Sequence, residues 1–246
     1  MRKFGLIGKN ISYSFSRAYF KKKFESENIQ DATYLNFDIH SIDAFKSIVQ
    51  NNPDLVGLNI TIPYKESIIP FLDSIDKNAQ TIGAVNTLKF SSDGRLTGYN
   101  TDYYGFKKSL RPLLKVHHKK ALILGTGGAS KAIANVLKNL GIEHQYVSRT
   151  KTESGLTYDT LNADIIKTHT LIINCTPLGT HPNVDACPNI PYNALNEQHL
   201  LYDLIYNPEE TSFLKQGKNQ GAQTCNGLKM LIFQAEKAWE IWNQDE

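Results

Sequence analysis

The chain has 246 residues, of which 41% are hydrophobic and 21% charged, and it carries a net charge of +3. That length allows one large domain or two small ones, and the composition is that of a globular protein with a sizeable core. The mild positive balance has no long Lys/Arg stripe, which argues against a nucleic-acid partner, and no apolar run is long enough to span a membrane. The three cysteines, Cys175, Cys187 and Cys225, have neither a metal-like spacing nor the even count of a disulfide framework. A cytoplasmic protein without a metal site is expected.

Residues 4–8 read as a strand ending in a glycine turn. Ser14 and Ser16 flank Phe15 just ahead of a helix expected over residues 17–28. Two hydroxyls beside exposed N–H groups suit a carboxylate, although either serine serves equally well as a plain N-cap. A strand is expected over residues 33–37 and a helix over 41–50. The strand at residues 56–61 stops before Pro63, which cannot continue a ladder. Asn59, Thr61 and Lys65 therefore fall at or beyond a strand's C-terminal end, where open α/β sheets bind ligands. Lys65 there can donate a proton if it is partly desolvated or coupled to a carboxylate; alone, it also reads as an ordinary surface lysine.

Residues 79–82 look helical, and residues 83–90 read as a strand with Asn86 inside it. A buried Asn is either structural glue or a ligand contact. Asp93-Gly94 signals a hairpin into a returning strand at residues 96–99. Asp102 begins a helix that runs to about Leu114, as a cap or a first-turn acid. Residues 115–120 then lead into a second domain, which puts one domain boundary near residue 100.

That second domain opens with the most informative stretch. An apolar run at residues 121–124 is followed by GTGGAS at residues 125–130, a helical pattern, and a short strand at residues 145–147. Strand, glycine turn, helix and strand make the first half of a dinucleotide-binding unit. Gly125 permits the tight turn, Gly127 lets a pyrophosphate approach the main chain, and the helix N-terminus offers N–H groups to it. Where an NAD site places an acid for the ribose 2′-hydroxyl, the chain reads Ser148-Arg149-Thr150-Lys151. Arg149 and Thr150 fit a 2′-phosphate, so NADP is favoured over NAD.

Beyond this, an apolar strand at residues 170–174 runs into a Pro/Gly loop containing Thr176, and a strand at residues 200–206 ends at Asn207-Pro208. Gly221 and Gly227 bracket a loop. The last segment is an amphipathic helix with Leu228, Leu231, Ile232, Ala235, Ala238, Trp239 and Trp242 on its stripe and Gln234 near the stripe's edge. Its length suggests that it returns to the N-terminal domain. The boundaries expected are residues 1–100 plus 227–246 for one domain and 101–226 for the other.

Taken together, these segments resemble the shikimate dehydrogenase family over nearly the whole chain. The resemblance rests on Ser14-Phe15-Ser16, Asn59-Ile60-Thr61-Ile62-Pro63-Tyr64-Lys65, Gly83-Ala84-Val85-Asn86-Thr87-Leu88 and Gly98-Tyr99-Asn100-Thr101-Asp102. It continues through GTGGAS, Ser148-Arg149-Thr150, Asn174-Cys175-Thr176-Pro177-Leu178-Gly179, Tyr202-Asp203-Leu204-Ile205-Tyr206-Asn207-Pro208 and Asn226-Gly227-Leu228. It implies an α/β protein of two domains, an N-terminal α/β substrate domain and a Rossmann-like NADP-binding domain. It also implies reversible, NADPH-dependent reduction of 3-dehydroshikimate to shikimate in the chorismate route to aromatic amino acids.

By motif match, Lys65 and Asp102 would be the catalytic pair. Ser14, Ser16, Asn59, Thr61, Asn86, Tyr206 and Gln234 would bind substrate. Gly125, Thr126, Gly127, Gly128, Ala129, Ser148, Arg149, Thr150, Thr176, Leu204 and Gly227 would bind NADP(H). The chain departs from the family pattern at Arg17, where Pro is usual, at Ser148, where Asn is usual, and at Thr180, where Met is common. The family's second arginine near Arg149 is missing, with Lys151 as a substitute. A quinate/shikimate dehydrogenase that accepts NAD is the near alternative. A non-catalytic dinucleotide-binding module is the distant one, since a pure binder has no use for the Lys65 and Asp102 pair. The expected partners are small molecules only, with a monomer or homodimer as the assembly.

Overall fold

The computed structural model describes residues 1–12, 14–150 and 155–244; Lys151, named above, lies outside them. The chain forms two compact units, residues 1–101 with 235–246 and residues 102–234.

In the first unit, β1 (Arg2–Gly8), α1 (Phe15–Ser26), β2 (Ala32–Asp38), α2 (Phe45–Asn51) and β3 (Leu55–Ile60) come first. They are followed by β4 (Ser74–Ile75), α3 (Lys77–Ile82), β5 (Thr87–Phe90) and β6 (Leu96–Tyr99). The strands make one mixed sheet in the order β2-β1-β3-β5-β6-β4. β1 is parallel to β2 and β3, whereas β5 runs antiparallel to β3 and to β6. The tight turn expected at Asp93-Gly94 is present, with Gly94 at φ 84° joining β5 to β6.

One side of this unit is an aromatic core in which Phe4, Phe20, Phe24 and Tyr34 pack with Ala235, Ala238, Ile241 and Trp242. Tyr34 stacks on Phe20 with ring centroids 4.6 Å apart, and the buried Trp242 Nε1 donates to Leu88 O (2.8 Å). Gly57 makes room for that indole, because a Cβ at residue 57 would lie 2.1 Å from Trp242 Nε1.

α4 (Thr101–Leu110) is followed by β7 (Lys120–Leu124), α5 (Gly128–Asn139), β8 (Glu143–Ser148), β9 (Leu156–Thr157) and α6 (Ala163–Thr168). Then come β10 (Leu171–Asn174), β11 (Leu200–Asp203), α7 (Ser212–Asn219), β12 (Gln223–Cys225) and α8 (Leu228–Asn243). The strands β7 to β12 form an all-parallel sheet in the order β12-β11-β10-β7-β8-β9. Renumbered from β7, this is the doubly wound order 3-2-1-4-5-6, whose direction reverses between β7 and β10. Fully buried β-branched and Leu residues of β7 and β10 supply the core on both faces, as a helix-covered parallel sheet requires.

Some element limits differ from expectation, each for a local reason. α1 starts at Phe15 because Ser14 takes the N-cap, its Oγ accepting from Arg17 N–H (3.3 Å). The strand expected over residues 83–90 starts only at Thr87, since Gly83 ends α3 in the left-handed conformation at φ 70°. The strand expected to reach residue 206 stops at Asp203, whose side chain captures the N–H of Ile205 (3.0 Å) and turns the chain. Among the described residues, no helix is long and apolar enough to cross a membrane, and Cys175, Cys187 and Cys225 are free thiols.

Candidate active site

In the first unit the candidate residues gather at the C-terminal ends of the strands. Thr61 follows β3 directly; its N–H donates to Ile7 O (2.9 Å). Its methyl lies against Gly8, where a Cβ would sit 2.5 Å away. The turn beyond is pinned on both sides of Lys65. Tyr64 is buried and its hydroxyl donates to Ile39 O (2.7 Å), while Val85 N–H donates to Lys65 O (2.7 Å). Lys65 is half-buried. It thus sits next to the segment that brings Asn86 to the head of β5.

Asn59 and Asn86 belong to one buried polar network. Tyr34 Oη donates to Asn59 Oδ1 (2.8 Å), and burial raises the pKa of this phenol. Asn59 Nδ2 donates to Asn86 O (3.3 Å) and Thr87 Oγ1 (3.1 Å). Asn86 Oδ1 accepts from Thr101 N–H (2.6 Å) and from the hydroxyls of Thr101 and Thr87 (3.2 Å each). Both N–H donors of the Asn59 amide are thus used inside the unit, so Asn59 holds the strands' ends together from one layer back. Ser14, besides capping α1, donates to Asn36 Oδ1 (3.0 Å). The network links Tyr34, Asn59 and Asn86 and fixes the Asn100–Thr101 peptide.

In the second unit Asp102 occupies the first turn of α4, where an acid complements the helix dipole, and it is buried. One turn on, at Gly105, α4 and α8 touch backbone to backbone: a Cβ there would lie 2.5 Å from Met230 O and 3.1 Å from Gln234 N. Asp102 and the buried Gln234 therefore share this crossing.

The glycine turn lies at the reversal point between β7 and β10. Gly125 takes φ 101°, a value L side chains avoid, and donates its N–H to Val147 O (2.8 Å). Gly127 is the N-cap of α5 and no side chain caps that terminus. A Cβ on Gly127 would meet nothing within 4 Å. Thr126 is exposed, and Gly128 and Ala129 lie in the helix's first turn. Open N–H groups over open space are what a pyrophosphate fills. At the end of β8, Ser148 is buried and its hydroxyl donates to Thr150 O, which folds the chain back and leaves Arg149 and Thr150 exposed. A guanidinium with no acid at this point fits a 2′-phosphate better than a free ribose diol.

Facing that turn are the loops after β10 and β11. Thr176 donates both its N–H (3.0 Å) and its hydroxyl (2.6 Å) to Asn174 Oδ1, and a Cβ on Gly125 would lie 3.1 Å from its methyl. Leu204 N–H donates to Asn174 O (3.0 Å). Gly227 donates to Ile205 O (2.9 Å) and leaves no space for a side chain, since a Cβ would sit 2.1 Å from Leu204 O. Tyr206 is half-buried, which raises its phenol pKa. Sequence reasoning did not single out Tyr34, Thr87, Thr101, Asn174, Asp203 or Thr211. A usable signal was there in the polar residues that close otherwise apolar strands.

Comparison with known proteins agrees with this geometry. Residues 6–88 match the model of the shikimate dehydrogenase substrate binding domain. The chain is 36% identical to a shikimate dehydrogenase (NADP(+)) from Desulforamulus reducens, over 97% of this chain and 88% of the relative. The crystal structure of shikimate dehydrogenase from Aquifex aeolicus superposes with a TM-score of 0.88 at 33% identity, over 99% of this chain and 92% of that one. The Thermus thermophilus shikimate 5-dehydrogenase in complex with NADP(H) and shikimate does so with a TM-score of 0.87 at 30% identity, over 99% and 94%. Full-length identity of this order, joined to the doubly wound sheet and its uncapped glycine turn, places the chain in the shikimate dehydrogenase family.

Proposed function

We propose that this protein reversibly reduces 3-dehydroshikimate to shikimate with NADPH, serving aromatic amino acid and chorismate biosynthesis. The observation that carries the reading is the uncapped α5 N-terminus at the sheet's reversal point, with exposed Arg149 at the end of the neighbouring strand. Relatives named as NADP-dependent shikimate dehydrogenases support the substrate.

In this reading residues 102–234 hold the cofactor. The N–H groups of Gly127, Gly128 and Ala129 bind the pyrophosphate, Arg149 and Thr150 bind the 2′-phosphate, and Thr176, Leu204 and Gly227 hold the nicotinamide half. The bound cofactor supplies the hydride. The substrate's ring carbonyl then becomes an alkoxide that needs a proton. Lys65 stabilises that oxygen as an ammonium and donates to it, and Asp102 accepts a hydrogen bond from the reacting hydroxyl. Ser14, Ser16, Thr61 and Tyr206 surround the substrate carboxylate, and Asn86 and Gln234 read ring hydroxyls. Asn59 supports Asn86 through the network described above. The protein acts in the cytoplasm, as a monomer or homodimer.

The test is absorbance at the nicotinamide band with purified protein, shikimate or quinate, and NADP⁺ or NAD⁺. Reduction with shikimate and NADP⁺ is the expected result. Turnover of quinate, or of NAD⁺ in preference, would replace it with the broader quinate/shikimate activity, and no turnover with any of the pairs would refute it.

A further inference from the structure

Asn174 and Asp203 have no assigned role, yet both are fully buried where the sheet meets the cofactor loops. They close β10 and β11 side by side, as register partners. Asp203 Oδ1 accepts from Asn174 Nδ2 and from Ile205 N–H (3.0 Å each), and Oδ2 accepts from Thr211 Oγ1 (2.6 Å). Asn174, held from that side, spends Oδ1 on Thr176 N–H and Oγ1 and extends Nδ2 toward Leu178 O (3.4 Å). Its backbone carbonyl accepts from Leu204 N–H (3.0 Å). A chain of hydrogen bonds therefore runs from the first residue of the loop after β11 to Thr176, and Thr176 in turn abuts the Gly125 turn.

The carboxylate is an unusual choice for such a place. Burial without a paired cation pushes its carboxyl up to about 6, even though all three hydrogen bonds pull it down. Keeping an ionised group in an interior disfavours the folded state. What it provides is two oxygens that accept from three donors on three different segments, which no apolar side chain can do.

We propose that Asp203 and Asn174 are a positioning pair for NADP(H), fixing Thr176 and Leu204 in their cofactor-binding arrangement without touching the cofactor. This rests on the reading above that residues 102–234 bind NADP(H). Because the pair acts on the loops after β10 and β11, it governs the affinity shared by NADP⁺ and NAD⁺. Discrimination between them resides at Arg149 and is untouched.

The test is calorimetric titration of the full-length protein with NADP⁺ and with NAD⁺, without substrate, on variants whose circular dichroism shows them folded. Asp203→Ala and Asn174→Ala are expected to weaken both cofactors by about 10-fold or more, leaving their ratio within about 2-fold of the unsubstituted protein, since misplaced contact groups lose affinity on that scale. Asp203→Asn is expected to stay within about 3-fold. Its amide keeps an oxygen for Asn174 and Ile205 and turns an N–H toward Thr211 Oγ1. If Asp203→Ala does not fold, Asn174→Ala decides alone, because it leaves the carboxylate its bonds from Ile205 N–H and Thr211 Oγ1. A folded alanine variant that binds NADP⁺ within about 2-fold of the unsubstituted protein overturns the positioning role, as does an Asp203→Asn variant as weak as Asp203→Ala. Failure of the unsubstituted protein to bind NADP⁺ would instead sink the cofactor assignment itself.

Discussion

Replacing Gly57 by Ala tests the packing that holds β3, and with it Asn59 and Thr61, in place. The new Cβ would lie 2.1 Å from Nε1, 2.3 Å from Cδ1 and 2.5 Å from Cε2 of Trp242. Carbon contacts settle at about 3.5–4.0 Å, so the overlap exceeds an ångström and falls on a rigid ring buried among Phe4, Phe20 and Tyr34. A local shift of the indole would cost ~1–3 kcal/mol, as overpacking does. Expelling it would approach the ~3–5 kcal/mol of a Trp→Ala truncation. Losing its bond to Leu88 O adds about 1 kcal/mol.

A destabilisation of about 3 kcal/mol follows, or a fall of roughly 10 °C in the midpoint for this unit. Both tryptophans of the chain, Trp239 and Trp242, pack in this core, so tryptophan emission during thermal unfolding follows it selectively. The decisive comparison is a double-mutant cycle. In a Trp242→Ala background, Gly57→Ala should cost less than about 1 kcal/mol, leaving a coupling of about 2 kcal/mol or more. Additive effects, or a midpoint lowered by less than about 2 °C in the single variant, would refute the reasoning.

Lys65→Ala and Asp102→Asn should each cut turnover by ~10²-fold or more with NADPH affinity nearly unchanged, since proton transfer and its positioning contribute on that scale; near-normal turnover in either removes its catalytic role. Arg149→Ala should weaken NADPH far more than NADH, and equal losses for the two cofactors would exclude a 2′-phosphate contact. The Asp203 carboxyl, raised by burial from 3.8 to about 6, binds its proton more tightly in the folded than in the unfolded chain. Its contribution to stability is therefore greatest below about pH 4 and falls by ~3 kcal/mol as the pH rises through about 6. His118, lowered from 6.5 chiefly by burial, works the other way, losing stability as the pH drops below that value. The difference between the unsubstituted protein and Asp203→Asn isolates the carboxylate: the variant should be the more stable near pH 7, with the gap closing toward about pH 4. A gap independent of pH would contradict the assignment.

The dinucleotide half was legible because its signals are backbone signals. A glycine at φ 101° and an uncapped helix start cannot be disguised by packing, and the apolar runs at β7 and β10 admit only a sheet buried on both faces. The polar network of the first unit was not legible. Tyr34, Asn59, Thr87 and Thr101 lie up to 67 residues apart, and nothing in their local spacing announces that they meet. Asn59 therefore read as a ligand contact, although its amide donors turn inward to Asn86 O and Thr87 Oγ1. Asp203 escaped for the opposite reason. It looked like one more residue of a strand, and only the capture of the Ile205 N–H revealed that the strand had ended.

The aromatic core of the first unit joins the two extremes of the chain: Phe4 packs edge-on against Trp239, with centroids 5.3 Å apart, and Arg2 donates to the Asn243 side chain (2.6 Å). On the ribosome this has a directional consequence. Residues 102–234 can complete their own sheet while the chain is still being made. The earlier-synthesised residues 1–101, by contrast, wait with Phe4, Phe20 and Tyr34 uncovered until residues 235–242 emerge. The uncovered aromatic surface is where a chain lacking residues 235–242 would begin to aggregate.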